Sequence, residues 1–188
     1  YTRLAGGKDL NRYIQYMYSY PHKTAYRPLE GIFFEDYVGC LAGFGNSLYL
    51  HIPFCQSRCG YCNLFSVYGQ ETAAIDRYLD AVQRQLSQYR EMLLPVDASF
   101  SDFTVGGGTP LLLSEKQLTR VFSMIRESLS LETGACLAVE TAPSQTSRKK
   151  ISLLREAGTS RISIGVQSFC DQELTALHRN HKAKDARR

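Results

Sequence analysis

Strand and helix patterns alternate along this chain from residue 47 onward, and this alternation restricts the possible folds more than any other feature. Residues 47–52 alternate apolar and polar side chains, as a half-buried strand does. Residues 71–93 instead carry apolar side chains at spacings of three and four, which predicts an amphipathic helix. Further strands are predicted at residues 99–105, 136–140 and 161–165.

Helix signals separate these predicted strands. Ser114 and Gln117 form a capping-box pattern that opens one helix. Another helix is predicted from about residue 146 to residue 157, where Gly158 would end it. Asp171 is predicted to cap a last helix. Successive βα units on short connections predict an α/β fold with a parallel sheet and right-handed crossovers.

The candidate polar residues all follow the C-terminal ends of predicted strands. In a βα barrel, those strand ends form the rim where the loops meet over the lumen. Val139 is predicted to face away from Glu140, and Ile164 away from Ser163, so the polar side chains should point into the lumen. A closed barrel of eight units needs about 250 residues. This chain of 188 residues is therefore expected to form a partial (βα) barrel, truncated after about four βα units.

Length and charge restrict the remaining classes. A hydrophobic content of 44% in 188 residues supports one domain with a substantial core. Residues 1–46 are predicted to be a tyrosine-rich extension that packs against the core or lines an entrance to it, and residues 47–188 a core domain incomplete at its C-terminus. The net charge of +4 is spread along the chain, which argues against a nucleic-acid-binding protein. No apolar run approaches the roughly 18 residues of a membrane span, and no signal peptide opens the chain, so a cytoplasmic location is predicted.

Three cysteines with the spacing C-x3-C-x2-C, Cys55, Cys59 and Cys62, follow the first predicted strand. In a reducing compartment, clustered thiols favour metal binding or catalysis over disulfides. The spacing suits a [4Fe-4S] cluster with three protein ligands and one open iron. A Cys3His zinc site that includes His51 is the alternative, although zinc modules usually pair ligands from two knuckles. The remaining cysteines are predicted to be buried packing residues: Cys40, Cys136 and Cys170.

Four motifs occur in order, each after a predicted strand: YLHIPFCQSRCGYC, VGGGTP, VETAP, and RISIGVQSF with LHRNH. Over about residues 47–181 they resemble the radical S-adenosylmethionine (SAM) superfamily, specifically its oxygen-independent coproporphyrinogen III oxidase-like branch. The resemblance implies a [4Fe-4S] cluster on the three cysteines, SAM on its open iron, and reductive cleavage of SAM to a 5′-deoxyadenosyl radical. It also implies an oxidoreductase with a small-molecule substrate, a tetrapyrrole being one candidate, and a one-electron donor such as flavodoxin or ferredoxin.

The resemblance further implies which residues contact SAM. Glu140 would accept hydrogen bonds from the cofactor, as a carboxylate can. Backbone of the glycine motif would approach the methionine moiety, since glycine has no Cβ. Apolar side chains beside the cysteines would desolvate the cluster: Phe54, Leu64 and Phe65. The full set implied to bind the cofactor is Tyr49, Tyr61, Gly107, Gly108, Thr109, Glu140, Gln167 and Arg179.

One position departs from the porphyrinogen-oxidising members of the family. Those members carry a fourth cysteine two positions after the third, where this chain has Leu64. The departure argues against the coproporphyrinogen reaction and leaves a second class, a haem-binding or haem-delivering protein on the same scaffold without turnover. A zinc-binding structural module is the third class. His178 and His181 are predicted to be solvent-facing helix residues.

Overall fold

The computed structural model describes residues 27, 28 and 30–187. The chain divides into two compact units, residues 1–33 and residues 34–188. The described residues of the first unit contain no helix or strand, and most of the predicted tyrosine-rich extension lies outside the described residues. None of the described helices is both long enough and apolar enough to cross a membrane.

The second unit contains short and long elements in alternation. Its strands are β1 (Gly43–Ile52), β2 (Phe54–Cys55), β3 (Val67–Tyr68), β4 (Ala98–Gly107), β5 (Ser130–Thr141) and β6 (Arg161–Ile164). Its α-helices are α1 (Thr72–Leu93), α2 (Glu115–Ser128), α3 (Arg148–Glu156), α4 (Asp171–Ala176) and α5 (Ala183–Ala186). A 3-10 helix, Phe34–Leu41, precedes β1.

The four longer strands form one parallel sheet in the order β1-β4-β5-β6. Each strand therefore pairs with the next long strand along the chain, and a helix makes each connection. This arrangement confirms the predicted α/β class and the parallel sheet of a partial βα barrel. Strand β5 starts six residues before the predicted residue 136. The alternation is lost there because Gly134 adopts a φ of 81° and the β4–β5 register shifts between Phe100 and Asp102.

The two faces of the sheet differ as the alternation predicted. Ile52 and Val139 are fully buried on the helix-facing side, whereas Tyr49 and Glu140 are exposed on the other side. Helix α1 packs against α2, and α2 against α3, over that apolar face. One core results between the sheet and the helices, and its fully buried members include Phe103, Leu79, Leu118, Val121 and Leu154.

Two helix-boundary predictions are confirmed and one is wrong. The Ser114 side chain caps α2 in a capping box with Gln117, and Gly158, with a φ of 77°, follows the end of α3. Asp171, however, is the first residue of α4, and it makes no cap there. Its carboxylate instead accepts a hydrogen bond from the backbone N–H of Ala183 at 2.7 Å. A contact to a distant segment has replaced the local capping contact.

The scattered cysteines do not behave as predicted. Cys40 and Cys170 are exposed, and Cys136 is only half-buried. Cys40 lies in the 3-10 helix before β1, and Cys170 lies just before α4. These short elements each bury one side chain, Val38 and Leu174, so the neighbouring cysteines point outward.

Candidate cofactor site

The cysteine loop runs between the two short strands β2 and β3. These strands pair in parallel, with Phe54 opposite Val67 and Cys55 opposite Tyr68, so the two ends of the loop lie side by side. Cys55 is the last residue of β2, and a turn bond joins the N–H of Cys62 to the carbonyl of Cys59 at 3.1 Å. All three cysteines are half-buried free thiols. They line one cavity of about 290 Å³ above the C-terminal ends of the sheet strands.

Residues from three other strand ends share this cavity with the cysteines. They lie at or beyond the C-terminal ends of β4, β5 and β6, which is the rim predicted from the sequence. The predicted cofactor residues that line the cavity are Tyr61, Gly107, Gly108, Thr109, Glu140, Gln167 and Arg179. Tyr49 does not line the cavity. Its ring lies against Gly106, and the Glu140 carboxylate lies against the same glycine.

The glycine motif lies directly beneath the first cysteine. The N–H of Gly108 donates to the carbonyl of Ile52, and the N–H of Thr109 donates to the carbonyl of Phe54, both at 2.8 Å. A Cβ at Gly108 would lie 2.8 Å from the Cys55 sulfur, closer than real contacts allow. The Thr109 hydroxyl lies 3.6 Å from the same sulfur. Burial raises the pKa of the Cys55 thiol, and the Thr109 hydrogen bond opposes that rise.

Glu140 is anchored by the glycine motif. One of its carboxylate oxygens accepts a hydrogen bond from the N–H of Gly107 at 3.2 Å. Burial raises the pKa of Tyr49, and the negative charge of Glu140 raises it further. Tyr49 is therefore a neutral donor at pH 7, and Glu140 keeps acceptor capacity on the cavity side.

Arg179 joins the end of β6 to the cysteine loop. One terminal nitrogen, Nη1, donates to the sulfur of Cys59 at 3.0 Å and lies 3.4 Å from the hydroxyl of Tyr61. The other, Nη2, donates to the carbonyl of Gly165. Gln167, between Gly165 and Arg179, has a φ of 71°, a left-handed conformation that is uncommon outside glycine and often found at functional sites.

His51 has partners for both ring nitrogens within the fold. Its Nε2 donates to the carbonyl of Phe65 at 2.9 Å, so its Nδ1 is the acceptor for the Tyr49 hydroxyl at 3.4 Å. A zinc ion on this histidine would have to displace one of these two partners, and on Nδ1 it would displace the Tyr49 hydroxyl while the bond to Phe65 remained. Within residues 27, 28 and 30–187, no three His, Cys, Asp or Glu side chains converge as they would around a single ion.

The prediction of solvent-facing helix residues is half right for His178, which is exposed but not helical, and wrong for His181. Both lie beyond the end of α4, because that helix stops at Ala176. His178 is exposed, with a φ of 53°. His181 is only 4% exposed, lines the cavity, and has no hydrogen-bond partner for its Nε2. Burial, followed by the positive charge of Arg179, lowers the pKa of His181, which favours the neutral ring.

Several other cavity residues were not predicted. Gln56 and Gln145 meet across the cavity mouth, where the Gln145 amide donates to the Gln56 amide oxygen at 3.0 Å. Their positions fit the predicted rim, because Gln56 lies within the cysteine loop and Gln145 follows β5. No local sequence motif marks either residue. His181 ends the LHRNH motif, but nothing in the sequence indicated that its side chain is buried in the cavity wall. Of the three apolar side chains predicted to desolvate the cluster, Phe54 is buried, Leu64 lines the cavity but is 54% exposed, and Phe65 is 74% exposed and does not line it.

Comparison with known proteins decides the family. The sequence profile described as the Radical SAM superfamily matches residues 49–188. The chain belongs to this superfamily. This radical SAM chain is 37% identical over 140 residues to the heme chaperone HemW of Bacillus subtilis. The aligned region covers 74% of this chain and 36% of that relative. It is 32% identical over 169 residues to the oxygen-independent coproporphyrinogen III oxidase of Salmonella typhimurium. That aligned region covers 86% of this chain and 36% of the relative.

A solved structure agrees with this assignment. Coproporphyrinogen III oxidase (HemN) from Escherichia coli, described as a radical SAM enzyme, superposes with a TM-score of 0.75 and 27% sequence identity. The match covers 81% of this chain and 35% of that chain. This radical SAM chain thus spans about a third of the length of these relatives.

The superfamily implies a [4Fe-4S] cluster and SAM, and the residues of the cavity fit them. Three free thiols on one loop face one cavity, which suits a cluster in which each thiolate binds its own iron. Glu140 and Arg179 supply a carboxylate and a guanidinium beside these thiols, which suits a ligand with both amine and carboxylate groups.

Proposed function

We propose that the chain holds a [4Fe-4S] cluster through Cys55, Cys59 and Cys62 and binds SAM beside it. The proposal rests on one feature, the shared cavity in which the three thiols meet the ends of β4, β5 and β6. The residues proposed to contact SAM are those implied by the family resemblance: Tyr49, Tyr61, Gly107, Gly108, Thr109, Glu140, Gln167 and Arg179.

Each element of the site would bind or orient the cofactor in a different way. The bare glycine backbone lets a ligand approach β4 closely, because no Cβ stands in the way. The Glu140 carboxylate would accept a hydrogen bond from an ammonium or a hydroxyl group, while its bond to Gly107 keeps it in place. Bound there, the cluster and SAM would supply one-electron reductive cleavage of SAM to methionine and a 5′-deoxyadenosyl radical, while the residues of the site would orient SAM and exclude water.

We propose that the electron comes from a one-electron donor such as flavodoxin or ferredoxin, and that the substrate is a small molecule. A tetrapyrrole is the favoured class, since the relatives are named for haem and for coproporphyrinogen. Leu64, where porphyrinogen-oxidising members carry a fourth cysteine, argues against that particular reaction. The same residue and the HemW relative favour a second candidate function, haem binding or delivery without turnover.

Anaerobic reconstitution with iron and sulfide is expected to load about four iron and four sulfide per chain, with broad absorbance in the visible range. Cys59→Ser should lower the iron content sharply, because it removes one of three thiolate ligands. Cys170→Ser is the matched control, since Cys170 is exposed and outside the cavity, and it should load like the wild type. Stoichiometric zinc without iron would contradict the cluster.

Cluster-loaded protein reduced with dithionite in the presence of SAM is expected to release 5′-deoxyadenosine, measured by chromatography. Glu140→Gln should lower the yield while keeping the iron content, because the carboxylate is proposed to bind SAM and not iron. A parallel haem titration separates the two candidate functions. If cluster-loaded protein binds haem but never releases 5′-deoxyadenosine, the proposed function becomes haem binding or delivery and the enzyme function is rejected.

A further inference from the structure

The segment that follows α4 packs along the cysteine loop. The N–H of Gly60 donates to the carbonyl of Leu177 at 3.1 Å. A Cβ at Gly60 would stand 3.7 Å from the Nδ1 of His178, which is ordinary contact distance. Arg179 then reaches Cys59 and, more weakly, Tyr61. Residues 177–179 therefore contact three consecutive positions of the loop, from the other end of the described chain.

The Arg179 guanidinium is positioned from both sides. Its Nη2 is bonded to the carbonyl of Gly165 just past β6, and its Nη1 is bonded to the Cys59 sulfur. Its Nε is buried without a partner in the described residues. Because the guanidinium is planar with donors in a fixed fork, one side chain can hold both partners at once. Both terminal nitrogens are therefore already bonded within the fold, one to the end of β6 and one to the cysteine loop.

The three thiols differ in the donors that they receive. Cys59 has a charged N–H donor at 3.0 Å, whereas Cys55 has a neutral hydroxyl at 3.6 Å. In the part of the chain that the structure describes, no side chain donates to the sulfur of Cys62. A charge-assisted hydrogen bond is about twice as strong as a neutral one. Among the three proposed cluster ligands, Cys59 therefore receives the strongest side-chain hydrogen bond at its sulfur.

We propose that Arg179 is a positioning residue for Cys59 that also raises the reduction potential of the cluster through its N–H···S bond. This inference rests on the proposed function. Hydrogen bonds to the sulfurs and the net charge around a cluster both set its potential. A cation at a ligand sulfur stabilises the added electron, so the reduced cluster gains more from Arg179 than the oxidised one.

The test is a redox titration of cluster-loaded protein without SAM, followed by electron paramagnetic resonance. At the wild-type midpoint, Arg179→Gln is expected to lower the ratio of reduced to oxidised cluster about tenfold, which corresponds to about 59 mV for one electron. Arg179→Lys keeps the charge but loses the fork, so its ratio should lie between the two. Arg155→Gln is the matched control. It removes the same charge from the last turn of α3, outside the cavity, and should titrate like the wild type.

The outcomes separate the inference from the proposed function. A wild-type protein without iron and sulfide overturns the proposed function and the inference together. A loaded Arg179→Gln protein with the wild-type midpoint overturns the inference alone. If Arg179→Gln loads too little cluster to titrate, Arg179→Lys decides: it must load more than Arg179→Gln and titrate below the wild type. An Arg179→Lys protein with the wild-type midpoint overturns the proposal.

Discussion

Gly108→Ala is expected to abolish most cluster assembly, whereas Gly106→Ala should leave the cluster and weaken SAM binding. A Cβ at Gly108 would lie 2.7 Å from the carbonyl oxygen of Phe54 and 2.8 Å from the sulfur of Cys55. The Phe54 carbonyl cannot move freely, because the N–H of Thr109 is bonded to it at 2.8 Å. The added methyl group must therefore push a proposed iron ligand out of place.

A Cβ at Gly106 meets different atoms. It would lie 2.7 Å from a carboxylate oxygen of Glu140 and 2.8 Å from the ring of Tyr49, which are both side chains. These side chains can rotate, so the cysteine loop stays in place while two proposed SAM contacts shift. We expect iron near the wild-type content and SAM affinity about tenfold lower, or about 1.4 kcal/mol of binding free energy.

Iron and sulfide analysis and calorimetric SAM titration measure these two effects. Gly108→Ala should fall from about four iron per chain to below about one. Gly39→Ala is the control, because a Cβ there would meet nothing within 4 Å and its φ is not left-handed. Wild-type iron content in Gly108→Ala would show that the glycine motif does not position Cys55.

Phe103→Ala is expected to destabilise the fold by about 3–5 kcal/mol, the range for removing a large aromatic side chain from a core. Phe103 is 0% exposed on β4, which pairs with β1 on one side and with β5 on the other. Deletion of its ring would leave a cavity between the sheet and the helices that the paired strands cannot close. The loss is a large fraction of the about 5–15 kcal/mol by which domains are usually stable.

Urea denaturation of the apo-protein measures this loss as a lower midpoint with an unchanged slope. Phe44→Ala is the matched control, because it removes the same ring from a side chain on β1 that is 82% exposed. Its effect should stay within about 0.5 kcal/mol. Equal losses for the two variants would contradict the position assigned to the core.

The regular part of the fold was predictable because local patterns specify it. Alternation placed Ile52 and Val139 on the helix-facing side of the sheet, and the capping box placed the start of α2 at Ser114. Strand β2 and strand β3 were missed because two residues each are too few to show a period. Their pairing depends on the loop between them returning to its own starting point.

The site was predictable in its membership more than in its contacts. Strand-end positions and motifs pointed to a common rim, and the cavity brings together Cys55, Glu140 and Gln167. Their roles toward a cofactor stay predictions until the iron and SAM measurements are made. Asp171 and His181 were predicted incorrectly for one shared reason. Their partners and their burial come from segments that no local pattern connects to them.

The sequence by itself determined the order of βα units and the C-x3-C-x2-C loop, because periodicity and spacing are properties of neighbouring residues. Only the tertiary structure decided what each thiol meets. Cys59 and Arg179 are 120 residues apart, and Cys55 and Thr109 are 54 residues apart. Such pairs form only when parallel strands bring their C-terminal ends to one edge, so the hydrogen bonds around the proposed cluster are set by strand order and register.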